Sequence, residues 1–200
     1  MHPNARFAWS DHAAMRALVE AQGFGTLAAM TPAGIRVAHV PAVFLGEARI
    51  GFHLARANAL SAHLDGAGAV FSVIGPHGYV SPDWYGADDQ VPTWNYLAVE
   101  LEGRVAAMDE PALLAQIDAL SALHEARLSP KPTWTRAKMT PGLAERMARG
   151  IIGFTLDIDI WRGTRKLGQN KPEEMRLRAA DGMAASGDPV LAALMRDAGD

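Results

Sequence analysis

Short apolar runs, separated by glycine, proline and asparagine, dominate the first half of the chain. Runs of this length and spacing are typical of an antiparallel β core. Before them, Ser10–Gln22 carries an apolar stripe at helical spacing, which predicts a helix capped by Ser10. Asn58–Asp65 predicts one or two helical turns with Asn58 as their cap. The strands predicted here cover Thr26–Met30, Ile35–Leu45, Arg49–Leu54 and Ala69–Ile74.

The second half mixes strands with helices. Ser81–Pro92 is rich in proline, glycine and aspartate and predicts a loop. Two strands are predicted, at Thr93–Ala106 and Ile151–Trp161, the second with strict alternation. Between them, an aspartate cap followed by proline starts a helix at Asp109. The helices predicted in this half run from Asp109 to about His124, from Thr140 to Gly150, and as a pair from Pro172 onward, broken at Ser186–Pro189.

These elements indicate a mainly β fold with α additions at the N-terminus, in an insertion and at the C-terminus. Strands do not alternate regularly with helices, which argues against a doubly wound parallel sheet, and a small antiparallel barrel fits best. We expect one domain over residues 1–171, with inserted helices at about 109–150, and a helical tail over 172–200.

Composition narrows the function classes. The 200 residues are 49% hydrophobic and 20% charged, with a net charge of −3, which gives no overall sign of a nucleic-acid-binding surface. The chain has no cysteine, which excludes disulfides, thiolate nucleophiles and cysteine-based zinc sites. No signal peptide or membrane span is recognisable, so we expect a cytoplasmic protein without a membrane partner.

Familiar catalytic motifs are missing. Gly23–Ala28 matches the loose dinucleotide pattern G-x-G-x-x-A, but it follows a helix and enters a strand, whereas that motif works between a strand and a helix. The seven histidines lack the spacing of a zinc peptidase, and neither a G-x-S-x-G elbow nor a P-loop is present. We therefore expect no metal site and assign no catalytic residue.

Three segments carry candidate chemistry, each with a plain structural alternative. Arg56 beside a helix start at Asn58 suits a phosphate, but on the residues alone a surface arginine next to a cap is favoured. The aromatic stretch Gly78–Tyr96 suits a planar ligand or an aromatic core cluster. Trp161–Pro172 holds four cations, which would bind a phosphate or simply lie in a solvated loop.

The same segments resemble one known family. The motifs are His53-x-Ala55-Arg56-Ala57-Asn58, Tyr79-Val80-Ser81-Pro82-x-Trp84-Tyr85, Val91-Pro92-Thr93-Trp94-Asn95-Tyr96 and Lys166-Leu167-x-Gln169-Asn170. In this order they are similar to the PaiB-like FMN-binding negative transcriptional regulators. The resemblance implies an FMN-binding split β-barrel of Greek-key type, related to pyridoxamine-phosphate oxidases. It also implies a homodimer with FMN at the interface.

The resemblance further implies which residues hold the cofactor. His53, Arg56 and Asn58 would lie at the flavin phosphate, and Thr93, Trp94 and Asn95 near the ring or the ribityl chain. Lys166 and Gln169 would reach the same cofactor, in the same or the other subunit. Two departures are that Gly168 stands where the family has serine, and that the loop Gly86–Gln90 is short.

Three functions are compatible with these observations. The first is a flavin-dependent oxidoreductase acting on an unidentified small molecule, with FMN carrying the electrons. The second is a regulator without catalytic activity, for which the one candidate nucleic-acid contact is Arg162, Arg165, Lys166 and Lys171. The third is haem handling, with His53 or His77 as the ligand, an expectation that rests on fold alone.

Overall fold

The computed structural model describes residues 3–198, in which the chain forms seven strands and five α-helices. The strands are β1 (Ala8–Trp9), β2 (Phe24–Thr31), β3 (Gly34–Phe44), β4 (Arg49–Ala55), β5 (Gly68–Val80), β6 (Thr93–Ala107) and β7 (Ile151–Lys166). The helices are α1 (His12–Gln22), α2 (Glu110–Glu125), α3 (Leu143–Ala148), α4 (Glu173–Ala185) and α5 (Pro189–Arg196). Single 3-10 turns lie at Ala5–Phe7, Pro82–Tyr85, Ala126–Leu128 and Arg136–Lys138.

The strands form one mainly antiparallel sheet in the order β1-β7-β4-β3-β2-β5-β6. An additional pairing of β7 with β6 closes this sheet on itself. The register places Met30 opposite Ile35 in the β2–β3 hairpin and Phe52 opposite Phe154 between β4 and β7. The predicted antiparallel barrel with helical additions is confirmed.

By its internal contacts the chain divides into two compact units. One comprises residues 1–18, 74–99 and 162–200, and the other comprises 19–73 and 100–161. We call them the tail unit and the barrel unit. The barrel unit has a core of fully buried Leu27, Ile50, Phe71 and Leu156, in which the Phe52 and Phe154 rings lie 5.7 Å apart.

The tail unit has a core of its own, built by α4 and α5. Its buried members are Val80, Tyr85, Leu97, Leu167, Ala179, Ala180, Met183, Leu191, Ala192, Met195 and Ala198. Small residues on α4 and α5 let these helices pack closely against the rest of this core. The cap of α5 is the Asp188 side chain, which accepts a hydrogen bond from the Leu191 N–H at 2.9 Å.

Local differences from the sequence predictions have simple causes. Helix α1 is capped by Asp11, which accepts from the Ala14 N–H at 3.0 Å, and not by Ser10. The helix predicted at Asn58–Asp65 was wrong, because this segment forms successive turns. There the Asn58 side chain accepts from the Leu60 N–H, two residues along, which favours a turn over a helix start.

Two strands are longer than predicted. β5 continues past Gly75 and Pro76, a pair typical of a turn, because Val80 packs into the core of the tail unit. β7 continues through Arg162–Lys166, where Thr164 pairs with Ala8 of β1. The sequence left Trp161–Pro172 open as a solvated loop, so the longer β7 places Lys166 on a strand.

A substitution at Gly103 of β6 tests whether closure of the barrel sets the stability of the protein. A Cβ at this position would lie 1.8 Å from the backbone carbonyl oxygen of Asp157 on β7, which cannot move without breaking the sheet. We expect Gly103→Ala to lower the free energy of unfolding by about 3 kcal/mol or more. Gly68→Ala is the control, because nothing lies within 4 Å of a Cβ there. Urea unfolding that is equal for the two variants would contradict this.

Candidate functional site

Lys166 and Thr93 meet in the tail unit. The Lys166 ammonium donates a hydrogen bond to the Thr93 hydroxyl and lies 5.9 Å above the centre of the Phe7 ring. Burial lowers the pKa of Lys166 below its ordinary value of 10.5. Among the described residues it has no carboxylate partner, so its charge is available for an anionic or carbonyl-bearing ligand.

Asn95 is the most unusual polar residue of this unit. It is 1% exposed, and neither its amide oxygen nor its amide nitrogen has a hydrogen-bond partner in the described part of the chain. A buried unpaired polar group costs about 1–3 kcal/mol, and native structures rarely keep one without a reason. The side chain offers one acceptor and two donors, so a ligand carrying both kinds of group would satisfy it.

Gly168 lies next to this amide. A Cβ there would be 3.9 Å from the Asn95 amide nitrogen, and the backbone φ of Gly168 is +88°. Glycine adopts this conformation without strain, whereas serine or alanine does not. The glycine found in place of the family's serine therefore fits the local backbone.

Trp94 belongs to an exposed aromatic cluster with His77 and Tyr79. The Trp94 indole N–H donates to His77 Nδ1 at 3.2 Å, and the two rings stack with centres 5.9 Å apart. Tyr79 meets Trp94 edge-on at 6.4 Å. Because indole is only a donor, His77 Nδ1 must accept, so the neutral imidazole carries its proton on Nε2.

The Gln169 side chain is hydrogen-bonded to backbone groups around it. Its side-chain oxygen accepts from the Leu167 N–H at 2.8 Å, and its nitrogen donates to the carbonyl oxygens of Arg165 and Arg6. The amide thus fixes the turn after β7 and ties it to the N-terminal segment.

The remaining predicted residues lie in the barrel unit, each with a protein partner. His53 Nδ1 lies 3.2 Å from the Gln116 side-chain oxygen of α2. The Arg56 guanidinium donates to the carbonyl oxygens of Arg149 and Ile151, at 3.1 and 3.3 Å. Neutral carbonyls leave the Arg56 charge uncompensated, so this cation can also bind an anion.

Structure and prediction overlap in part. Lys166 is hydrogen-bonded to Thr93 in the tail unit, and Asn95 lies two residues from Thr93 on β6, while His53, Arg56 and Asn58 follow one another along β4 and its turns. Sequence reasoning missed Gln116, which is buried with its amide nitrogen unpaired among the described residues. A glutamine within a helix gave no signal for this.

Residues 3–198 hold no cluster of three histidine, aspartate or glutamate side chains placed to bind a metal ion. Over the same range, each helix falls short of the length and apolarity that crossing a membrane requires.

The pH dependence of stability tests the environment of Lys166. Because folding lowers its pKa, the folded state disfavours the charged form, and this cost disappears as pH rises toward 10.5. We expect Lys166→Met to raise the melting temperature near neutral pH, with a gain that shrinks by about pH 10. Lys166→Arg stays charged over this pH range. Its melting temperature should therefore fall relative to that of the wild type as the pH rises to about 10. A gain from Lys166→Met that is independent of pH would contradict the assignment.

Known proteins place this chain in a family. Residues 1–160 match the family described as "Putative FMN-binding domain". Over 126 residues the chain is 29% identical to protease synthase and sporulation protein PAI 2 of Bacillus subtilis strain 168. That alignment covers 62% of this chain and 59% of the relative, so it spans less than two thirds of the relative's length.

Solved structures show the same fold. The FAD and heme binding protein from Mycobacterium smegmatis superposes with a TM-score of 0.62 at 17% identity, covering 90% of this chain and 80% of its own. The flavocytochrome Anf3 from Azotobacter vinelandii gives 0.60 at 16% identity, covering 83% and 72%. The predicted split barrel and the FMN cofactor class are thereby confirmed. The chain belongs to the FMN-binding family of PaiB-like split-barrel proteins.

Proposed function

We propose that this protein holds FMN as a working cofactor and acts as a flavin-dependent redox protein. The observation that carries the proposal is the buried, unpaired amide of Asn95 near the start of β6, in the same unit as the unpaired charge of Lys166. Bound FMN supplies electron transfer, which protein side chains do not perform, and the chain supplies binding and orientation.

The side chains of the tail unit fit a flavin. Asn95 offers the donor and acceptor groups that the ring edge or the ribityl chain requires, and Thr93 adds a hydroxyl. Trp94 offers a flat, half-exposed face. Lys166 supplies a positive charge in partly buried surroundings, where electrostatic interactions are stronger than in water.

The barrel unit supplies a second group of proposed FMN site residues, namely Arg56, Asn58 and His53. Arg56 carries a charge satisfied only by backbone carbonyls, which suits a phosphate. Asn58 shapes the turn that follows Arg56 through its bond to the Leu60 N–H. His53 is held by α2 through Gln116, so its role is to anchor that helix against β4.

A visible absorption spectrum after desalting tests FMN binding. We expect the wild-type protein to retain a two-band flavin spectrum, and Asn95→Leu or Arg56→Ala to weaken FMN binding by about tenfold or more for each lost hydrogen bond to the ligand. Asn95→Leu should fold at least as stably as the wild type, because the amide it removes has no protein partner.

Arg127→Ala is the matched control. Its guanidinium also donates to two backbone carbonyls, those of Glu20 and Ala21, yet no candidate site includes it. FMN affinity in this variant should equal that of the wild type. A wild-type protein that stays colourless with added FMN would contradict the proposal that the protein binds FMN.

We further propose that the protein is a homodimer joined through an apolar face of the barrel unit. Phe24, Met30, Ile35 and Val37 are each more than half exposed on the β2–β3 hairpin. The register sets Met30 beside Ile35, and Ala28 beside both Val37 and Val70. Contiguous exposed apolar surface of this kind marks an interaction site. A second copy is the proposed occupant, because relatives of this fold are expected to dimerise around FMN.

Light scattering after size exclusion tests the dimer. Val37→Asp puts a charge at the centre of the apolar face and should give monomers, because a buried unpaired charge is costly. Leu128→Asp is the control, since Leu128 and Val37 are both 53% exposed and Leu128 lies outside the hairpin. A monomeric wild type, or dimers that persist in Val37→Asp, would refute the interface.

A regulator without catalytic activity is the alternative, supported by the similarity to protease synthase and sporulation protein PAI 2. Such a protein would bind FMN without oxidising any reductant. Haem handling fits less well, although one structural neighbour is named for both FAD and heme. The proton on His77 Nε2 opposes iron ligation through that nitrogen in the neutral ring.

A further inference from the structure

A polar cavity lies within the tail unit. Its volume is about 1000 Å³, and it is bounded by the N-terminal segment, the end of β7 with its following turn, and the first turn of α4. Four cations line it, namely Arg6, Arg165, Lys171 and Arg176. The carboxylates on its wall are Asp11 and Glu173, so the lining carries an excess of two positive charges.

Neutral groups hold most of these cations. Arg165 donates to the Asp197 carbonyl oxygen at 3.1 Å, and Lys171 donates to the Gln90 side-chain oxygen at 2.7 Å. Among the described residues, the Arg6 guanidinium has no hydrogen bond of its own. The charges are therefore positioned but not neutralised.

The two carboxylates do little to cancel this charge. Asp11 caps α1 by accepting from the Ala14 N–H. Glu173 comes no closer than 3.9 Å to Arg176, and its side chain is 78% exposed. Because the Glu173 carboxylate is mostly in solvent and 3.9 Å away, this pair contributes little stability.

Arg176 gives the strongest evidence for a ligand. It is 4% exposed, and its Nη1 donates to the carbonyl oxygens of Met195 and Arg196 at the end of α5. Its Nε and Nη2 have no hydrogen bond within residues 3–198. Neither atom is a fully buried polar atom without a partner, so both are reachable from the cavity and can donate to an anion bound there.

The start of α4 adds further donors. Its N-cap position is Pro172, whose side chain has no acceptor for the first N–H groups of the helix. Free N–H groups and the helix dipole favour an anion there. Since Arg176 lies in the first turn of the same helix, both features face one region.

We propose that this cavity binds a phosphate group of a small molecule. An excess of two charges matches a phosphate dianion, and forked guanidinium groups bind phosphate with two parallel hydrogen bonds. The phosphate is either that of FMN itself, in place of the position proposed for it at Arg56, or that of a separate phosphorylated compound. The proposal stands without the FMN assignment, because it rests on the charges and unused donors of the cavity alone.

Inorganic phosphate, titrated by calorimetry at constant ionic strength, is the first probe. We expect saturable binding that weakens about tenfold in Arg6→Gln and in Lys171→Gln, which each remove one charged donor. Arg176 is left intact because it also supports α5. Arg36→Gln, an exposed change on β3, is the control and should bind as the wild type does.

Comparing FMN with riboflavin identifies the source. If the variants lose the preference of the wild type for FMN over riboflavin, the site holds the flavin phosphate. If that preference is kept and FMN-loaded protein still binds inorganic phosphate, the site serves a separate phosphorylated ligand. Phosphate binding without any flavin binding would refute the FMN proposal and leave this site standing. Phosphate affinities that are equal in both variants and the control would overturn the inference.

Discussion

Closure of the sheet between β6 and β7 is the constraint on which the rest of the structure depends. At Gly103 the two backbones approach so closely that a single added carbon would overlap the Asp157 carbonyl. Closure removes the free edges that an open antiparallel sheet would expose. It also fixes the pairing of β6 with β7 within the barrel unit.

The proposals for function rest on groups without protein partners. Folding normally pairs every buried polar group, so exceptions indicate where the chain awaits a ligand. The amides of Asn95 and Gln116 are such exceptions among the described residues, and Arg176 adds a guanidinium with donors left open at a cavity wall. The exposed apolar residues of the β2–β3 hairpin are the corresponding exception for the hydrophobic surface.

The sequence predicts the architecture well because strands and caps have local signals. The alternation in Ile151–Trp161 and the Asp109–Pro111 helix start both correspond to elements of the structure. It fails where nonlocal packing decides, as in the extension of β5 to Val80. For the site, family resemblance only suggests the segments, and the unpaired state of Asn95 depends on residues distant in sequence. The cavity joins Arg6 to Arg176, and no local pattern relates these two positions.

The most direct test of the central claim is the side-chain amide signal of Asn95 in protein labelled with ¹⁵N at asparagine. The chain contains four asparagines, Asn4, Asn58, Asn95 and Asn170, so the spectrum is simple and Asn95→Leu assigns the signal. We predict that one equivalent of FMN shifts the Asn95 amide pair strongly, because the ligand provides its missing hydrogen bonds. FMN that binds while the Asn95 signals stay unchanged would contradict the account.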